Sequence, residues 1–183
     1  VREMDSYFLV WTDRIEARIL ELPEVRRAEA VKRFPGRLTI VVEEHPEVAA
    51  ELDADVFLWI VLANGARVPA DRHPDSAMNL PVLRGWEAAP ETRLALCRVL
   101  EHIPAALLAD VSEIHPDPSV SYPDRIRIYT RSRFEIVTTV SYLPDKLPLM
   151  DNIIYNMKQN GHSAGEITLL EGNSSVPFPL GDG

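Results

Sequence analysis

The sequence predicts an α+β protein in which a short helix and a β-hairpin precede a larger mixed β-sheet domain flanked by helices. Apolar and polar residues alternate at 38–43, which is the period of a strand. The same alternation returns at 125–140, on both sides of a short polar link. A helical spacing of three or four instead relates the apolar residues Leu147, Met150, Ile154 and Met157.

The helix and hairpin are expected within residues 1–46. Asp13 is predicted to cap the helix with Glu16 as its capping-box partner, and Tyr7, Phe8 and Leu9 are expected to cover its start. The helix should end before Pro23, because a proline disfavours helical conformation in the residue that precedes it. Two strands are predicted on either side of a Phe34-Pro35-Gly36 turn: Val25 to Arg33, and a half-buried second strand with Leu38, Ile40 and Val42 on one face.

Residues 47–178 are expected to form the larger domain. Asn64-Gly65 predicts a hairpin whose first strand runs from Val56 to Leu62. The other predicted strands are Val111–His115, Arg125–Thr130, Phe134–Val140 and Gly165–Glu171, the last joined by Val176–Phe178. Helices are predicted from Pro90 to about His102, at Ala105–Ala109, and from Pro144 to a stop at Asn160-Gly161. The tail at 179–183 has no packing signal and is expected to be disordered.

Composition excludes several classes of function. The net charge of −9 argues against nucleic acid as a partner, since phosphate backbones bind clustered positive charge. The five histidines and the single cysteine, Cys97, show no metal-ligand spacing, and Cys97 lies in an apolar helical pattern that predicts burial. Neither a phosphate-binding loop nor a nucleophile elbow occurs. The sequence therefore predicts no catalytic residue, no cofactor and no metal.

Several motifs together resemble the FtsQ/DivIB family of bacterial cell-division proteins. In the first part they are Leu22-Pro23-x-Val25, Ala28, Lys32-Arg33, Phe34-Pro35, Leu38, Ile40, Val42, Glu44 and Val48-Ala49. In the second part they are Leu62-x-Asn64-Gly65-x-x-Val68, Leu80-Pro81-Val82-Leu83-x-Gly85, Tyr142-Leu143-Pro144-x-Lys146-Leu147 and Ile167-Thr168-Leu169-Leu170. In this family a small POTRA domain is followed by a larger β-domain outside the cytoplasm.

The resemblance implies a domain assignment and a function. Residues 1–46 would be a POTRA-type domain without its first strand and helix, and residues 47–178 the FtsQ/DivIB-like β-domain. The protein would be a non-catalytic divisome scaffold that binds FtsL and FtsB/DivIC-type proteins and helps to regulate septal peptidoglycan synthesis, with the septal transpeptidase as a further candidate partner. It would lie on the extracytoplasmic side of the membrane at the division septum, anchored by an N-terminal membrane helix that precedes this sequence.

The predicted partner-binding site is the last strand of the β-domain. A final strand often lies at the edge of a sheet, where unpaired backbone groups can accept a partner strand, although a central or covered strand is an equal alternative here. The residues assigned to this site are Ile167, Thr168, Leu169, Leu170, Glu171, Val176 and Phe178.

Two other functions are compatible with parts of the sequence. One is a POTRA-type chaperone or docking module of an outer-membrane assembly or secretion system, which would be favoured by a second POTRA copy in residues 47–178. The other is an α+β enzyme such as a hydrolase, which would require a deep pocket with several polar groups of perturbed pKa.

Overall fold

The computed structural model describes residues 11–53, 55–73 and 77–178. The chain separates into two compact units, Val1–Pro46 and Glu47–Gly183. The predicted α+β fold is confirmed, because a helix-and-hairpin unit is followed by a large mixed sheet with helices. The residues expected to cover the first helix (Tyr7, Phe8 and Leu9) and the expected disordered tail at 179–183 lie outside the described residues.

The first unit consists of one helix and one antiparallel hairpin. Its elements are α1 (Thr12–Ile19), β1 (Val25–Arg33) and β2 (Arg37–Glu44), with a cis peptide bond between Phe34 and Pro35 in the turn. Among the described residues of this unit, the buried apolar ones are Val25 and Ala30, both on β1. The hairpin was predicted from its alternation, and both strands are confirmed.

The start of α1 differs from the prediction. Trp11 occupies the N-cap position without a side-chain hydrogen bond, so the assignment of Asp13 as the cap is wrong. The Glu16 carboxylate is used elsewhere: its Oε1 accepts a hydrogen bond of 2.7 Å from the backbone N–H of Ala30. Glu16 therefore ties α1 to β1, and it does not complete a capping box. The helix also ends at Ile19, earlier than the proline alone requires.

The second strand is more exposed than its alternating pattern predicted. Ile40, Val41 and Val42 expose 43%, 58% and 43% of their surface, so apolar side chains are accessible on both faces of β2. The reason is the small number of neighbours: α1 packs against β1, and β2 pairs with β1 alone among the described residues.

The second unit is built on one nine-stranded mixed sheet. Its strands are β3 (Glu47–Leu52), β4 (Leu58–Leu62), β5 (Arg67–Pro69), β6 (Val82–Leu83), β7 (Val111–Pro116), β8 (Arg125–Thr130), β9 (Phe134–Thr139), β10 (Gly165–Leu169) and β11 (Asn173–Pro177). Their order across the sheet is β11-β10-β9-β8-β7-β6-β3-β4-β5. The pairs β9/β10, β3/β6 and β6/β7 are parallel, and the others are antiparallel.

Helices complete the core of this unit. They are α2 (Pro90–Leu100), α3 (Ala105–Leu108) and α4 (Leu143–Gln159). The predicted inward residues of α4 are all buried, and they share one core with the strand residues Phe134, Ile136 and Ile167. Cys97 is buried in the same core, as its pattern predicted. In the described part of the chain, no helix combines the length and the apolar character needed to cross a membrane.

Two features near β3 and β4 were not predicted. β3 contains the buried run Val48-Ala49-Ala50, whose alanines carry little strand propensity. It is nevertheless a central strand, because it pairs with β4 on one side and β6 on the other. The strand expected from Val56 begins only at Leu58: Val56 has a left-handed backbone with φ of 66° and is 75% exposed.

Candidate partner-binding edge

The β11 strand forms one border of the nine-stranded sheet. It pairs with β10 on one side, and the strand order ends there. All five of its residues are exposed, and Val176 keeps 63% of its surface accessible. A strand at a sheet border presents a row of backbone donors and acceptors that can pair with another chain.

The register of β11 shows which backbone groups point away from the sheet. Phe178 donates its N–H to the Ala164 carbonyl at 3.2 Å, and Leu170 donates to Gly172 at 3.1 Å. Because hydrogen-bonded pairs alternate along an antiparallel ladder, Ser174 and Val176 also direct their backbone groups toward β10. The backbone groups of Asn173, Ser175 and Pro177 therefore point outward. Pro177 has no N–H, so the outward donors are Asn173 and Ser175.

This geometry separates the accessible residues of the predicted set from the buried ones. Gly165–Leu169 is not the free border, because β10 lies between β9 and β11 and its backbone is paired on both sides. Ile167 and Leu169 are 0% and 1% exposed, so their side chains belong to the core and do not form a contact surface. Thr168 and Leu170 are half-buried, whereas Glu171, Val176 and Phe178 are exposed. The accessible part of the predicted set lies on β11 and at its two ends.

Glu166, on one face of β10, belongs to a network of charged side chains. Val176 lies directly across from Glu166 in the ladder. The Arg127 guanidinium donates hydrogen bonds of 2.8 Å to both Glu166 and Glu135, and it lies 3.5 Å from the Asp117 carboxylate. The hydrogen bond with Glu166 raises the pKa of Arg127 above its ordinary value; burial opposes this effect and Glu135 reinforces it. These cross-strand bonds hold β8, β9 and β10 together beside the border strand.

The opposite face of β11 is held against α4. Lys146 donates a hydrogen bond of 2.9 Å from Nζ to the side-chain oxygen of Asn173. Gly165 allows a close approach, because a Cβ there would lie 2.6 Å from Met157 Cε and 2.7 Å from the Val176 carbonyl oxygen. A glycine at this point therefore lets the border strand and the helix pack together. The position of β11 is fixed by the protein before any partner binds.

The cavities of the second unit differ in their linings: one, of about 380 Å³, includes Glu51, Asp53 and Glu87. A cavity of about 770 Å³ near β4 and β5 is lined mainly by apolar side chains, among them Phe57, Trp59 and Met78, and Asp71 is its ionisable lining residue. Among the described residues, no group of three His, Cys, Asp or Glu is placed to hold a metal ion.

Comparison with known proteins gives the class of this two-unit architecture. Residues 1–45 match the model of the POTRA domain of FtsQ type. The major extracytoplasmic domain of the trans isomer of the cell-division protein DivIB from Geobacillus stearothermophilus is similar in structure. It has a TM-score of 0.50 and 26% identity, and the match covers 64% of this chain and 98% of that one. The architecture is that of a POTRA unit followed by a β-domain.

Curated relatives extend the match over nearly the whole chain. DivIB of Paenibacillus polymyxa is 37% identical over 95% of this chain and 66% of its own length. DivIB of Geobacillus kaustophilus is 28% identical over 97% of this chain and 67% of its own length. DivIB of Bacillus subtilis is 26% identical over 80% of this chain and 54% of its own length. The chain belongs to the FtsQ/DivIB family of bacterial cell-division proteins, and it spans between half and two thirds of the length of these relatives.

Proposed function

We propose that this chain is a non-catalytic divisome scaffold that binds FtsL and FtsB/DivIC-type proteins through the border strand β11. In the whole protein it would stand on the extracytoplasmic side of the membrane at the division septum, anchored by an N-terminal helix. By holding these partners, and the septal transpeptidase as a further candidate, it would help to regulate septal peptidoglycan synthesis. The proposal rests on membership of the DivIB family and on the open border of the sheet.

The observation that carries the proposal is the outward backbone of Asn173 and Ser175. A partner segment in extended conformation can pair with these groups and add a tenth strand, which gains affinity from main-chain hydrogen bonds. The exposed side chains of Val176 and Phe178 lie at the same border and supply apolar contacts for a segment that continues past Pro177. Because β11 is already fixed by β10 and α4, a partner does not have to order it, and that reduces the entropic cost of binding.

A scaffold needs a stable binding surface, and ion pairs contribute to it beside the border strand. The Arg127 guanidinium is paired with the Glu135 and Glu166 carboxylates across β8, β9 and β10. In this proposal the POTRA-type unit would serve recruitment and the β-domain would hold the partner. Since residues 47–178 form a single sheet domain and not a second helix-and-hairpin unit, they do not support the alternative of a tandem POTRA chaperone.

Replacement of Ser175 by proline tests strand addition directly. Ser175→Pro removes an outward N–H and places a ring at the border, whereas the hydrogen bonds between β10 and β11 stay intact. The purified extracytoplasmic segment of a DivIC-type protein, alone and with its FtsL-type partner, is titrated against the chain by calorimetry. We expect Ser175→Pro to weaken binding by about tenfold or more, since a backbone hydrogen bond is lost and the approach is blocked.

Ser175→Ala is the matched control, because it removes the hydroxyl and keeps the backbone N–H. It should bind as the parent does, and both variants should melt within a few degrees of the parent. Val176→Lys is a second probe of the same border, since Val176 is exposed and a lysine there would lie opposite the Glu166 carboxylate. If the parent shows no saturable binding, or if Ser175→Pro and Val176→Lys both bind normally, β11 is not the partner site.

A further inference from the structure

A cavity on the second unit lies between the β8–β9 turn and the segment that links α4 to β10. It has a volume of about 430 Å³ and is lined by Ser132, Arg133, Lys158, Gly161, His162 and Ser163. Arg133 comes from the turn, and Lys158 and His162 come from the end of α4 and the link that follows it. The volume is in the range of small-ligand sites. Two separate parts of the chain therefore bring basic and hydroxyl side chains to one concave place.

The charge of this cavity is opposite to that of the chain. The protein has 28 acidic and 19 basic residues, yet none of the six lining residues is acidic and three are Arg, Lys or His. Elsewhere on the same sheet, arginines lie against carboxylates: Arg125 is 3.3 Å from Asp117, and Arg127 contacts three acidic groups. Neither Arg133 nor Lys158 forms an ion pair with a carboxylate in the described part of the chain. Lys158 instead places its Nζ 5.8 Å from the centre of the Phe134 ring.

The backbone at Arg133 is in a conformation that normally favours glycine. Its φ is 71°, in the left-handed region, where an L-residue with a side chain is strained. The turn is nevertheless held firmly: Asp110 accepts hydrogen bonds from the Ser132 N–H at 3.0 Å and from its hydroxyl at 2.5 Å, and Arg133 donates its N–H to Thr130. A three-residue hairpin loop usually ends on a residue in this region, so the turn itself requires the left-handed conformation at this position. The chain thus keeps an arginine where a glycine would fit more easily.

The end of α4 does not by itself explain why Arg133 and Lys158 lie at the same cavity. Cations near a helix C-terminus interact favourably with its exposed carbonyl groups, which accounts for Lys158. Carbonyl groups at this end already have backbone partners: the Gly161 N–H donates to the Lys158 carbonyl, and the His162 N–H donates to the Met157 carbonyl. Gly161, with a φ of 85°, has the left-handed backbone that commonly ends a helix. Arg133 belongs to another element, and its presence here is not required for ending the helix. The convergence of both elements points to a ligand.

We infer that this cavity is a binding site for a phosphate group, with Arg133 and Lys158 as the charged contacts. A phosphate presents several acceptor oxygens, which suit a planar guanidinium on one side and an ammonium on the other. His162 and the Ser163 hydroxyl can donate further hydrogen bonds, whereas the Ser132 hydroxyl is already committed to Asp110. The phosphate could belong to a soluble phosphate ester or to a lipid headgroup, because both present phosphate oxygens.

Phosphate titration of the full chain tests the inference. Inorganic phosphate is added at constant ionic strength while the backbone amide signals of residues 132–133 and 158–163 are followed by NMR. We expect saturable shifts at these positions, with acetate at least about tenfold weaker because it has fewer acceptor oxygens and less charge. Arg133→Gly should weaken phosphate binding about tenfold and should not lower the melting temperature, since glycine relieves the left-handed strain. Lys158→Gln should weaken binding similarly.

Arg131→Gln is the matched control, because it removes a positive charge from the same turn at a residue that does not line the cavity. It should keep the phosphate affinity of the parent. The inference is overturned if phosphate and acetate act alike, if Arg131→Gln loses as much affinity as Arg133→Gly, or if Arg133→Gly and Lys158→Gln bind normally. For a site that passes, binding of soluble glycerol phosphate is compared with binding to phosphatidylglycerol vesicles, and the preferred one distinguishes a soluble ligand from a lipid headgroup.

Discussion

At the scale of single residues, Gly165 has a specific role in placing the border strand. The contacts that a Cβ would make at this position include the Val176 carbonyl oxygen at 2.7 Å and Pro177 Cα at 3.1 Å, and both belong to the β11 backbone. Backbone atoms of a paired strand cannot move aside as the end of a flexible side chain can. The glycine is therefore a condition for β11 to pair with β10 while α4 lies above it.

Gly165→Ala should destabilise the second unit. The added methyl forces β11 or Met157 away, and overpacking of this kind costs about 1–3 kcal/mol of unfolding free energy. Urea unfolding followed by circular dichroism measures the change. Gly172→Ala, in the adjoining turn, is the control, because a Cβ there would meet nothing within 4 Å. Equal stability of the two variants would show that the close packing at Gly165 has no energetic consequence.

Cys97 illustrates how burial controls reactivity. Its thiol is 0% exposed, and desolvation raises its pKa from 9.0 to about 11, with the nearby Arg93 acting in the opposite direction. A thiol with this pKa is about one part in a thousand thiolate at pH 8, and the thiolate is the reactive form. We therefore expect labelling by an aromatic disulfide reagent at pH 8 to be at least about 100-fold slower in the native chain than in urea.

The same raised pKa sets a direction for stability at high pH. The native state keeps the proton on Cys97 up to about pH 11, whereas the unfolded state releases it near 9. Native protein therefore binds more protons in this range, and stability falls as the pH rises through it. Rapid native labelling at pH 8, or stability that rises between pH 9 and 11 in the parent relative to Cys97→Ala, would contradict this description of the site.

At the scale of elements, the regular alternation of β8 and β9 was sufficient to predict both strands and their hairpin. Ile126, Ile128, Phe134 and Ile136 all face the core as expected. β11 could not be predicted as a strand over its full length, because Asn173-Ser174-Ser175 has no apolar alternation and its pairing comes from β10. The buried alanines of β3 likewise did not indicate a strand, because alanine has little strand propensity and β3 is defined by its pairing with β4 and β6. The position of each strand in the sheet depends on contacts between distant residues, which local periodicity does not report.

Two kinds of sequence information bear on where the border strand lies. The apolar run Ile167–Leu170 correctly indicated a strand near the end of the chain. An apolar alternating strand, however, has a face to bury, and β10 is accordingly covered. The polar strand that follows it has little to bury and becomes the border. The general consequence is that exposure of a border strand is predicted better by the lack of apolar residues than by their presence.

The charge network across β8, β9 and β10 should contribute measurably to the stability of these strands. Arg127→Gln leaves Glu135, Glu166 and Asp117 close together without their shared cation. We expect a loss of about 1 kcal/mol at low salt, since partly exposed networks are worth more than single surface pairs but are still screened by water. The loss should shrink in about 1 M sodium chloride. A loss that does not depend on salt would show that Arg127 acts through the packing of its aliphatic stem.

At the scale of the whole molecule, the two units differ in how much apolar surface each one buries. The second unit has an extensive core that joins the helices to the sheet, whereas the first unit buries Val25 and Ala30 among its described residues. A two-stranded hairpin with one short helix is marginally stable by itself. The border strand, its supporting helix and the charge network all belong to the second unit. Stability and the proposed partner site are therefore properties of the same part of the chain.

A fragment of residues 47–178 should consequently fold cooperatively and keep the proposed partner binding. Its core, β11 and α4 are complete without residues 1–46, so urea unfolding should remain a single transition with a similar midpoint. The affinity for the DivIC-type segment should stay within about threefold of the parent, since the outward groups of Asn173 and Ser175 are unchanged. Ser175→Pro made in the fragment should weaken binding as it does in the full chain. If the fragment folds but loses the partner, residues 1–46 contribute directly to binding, and a site confined to β11 is wrong.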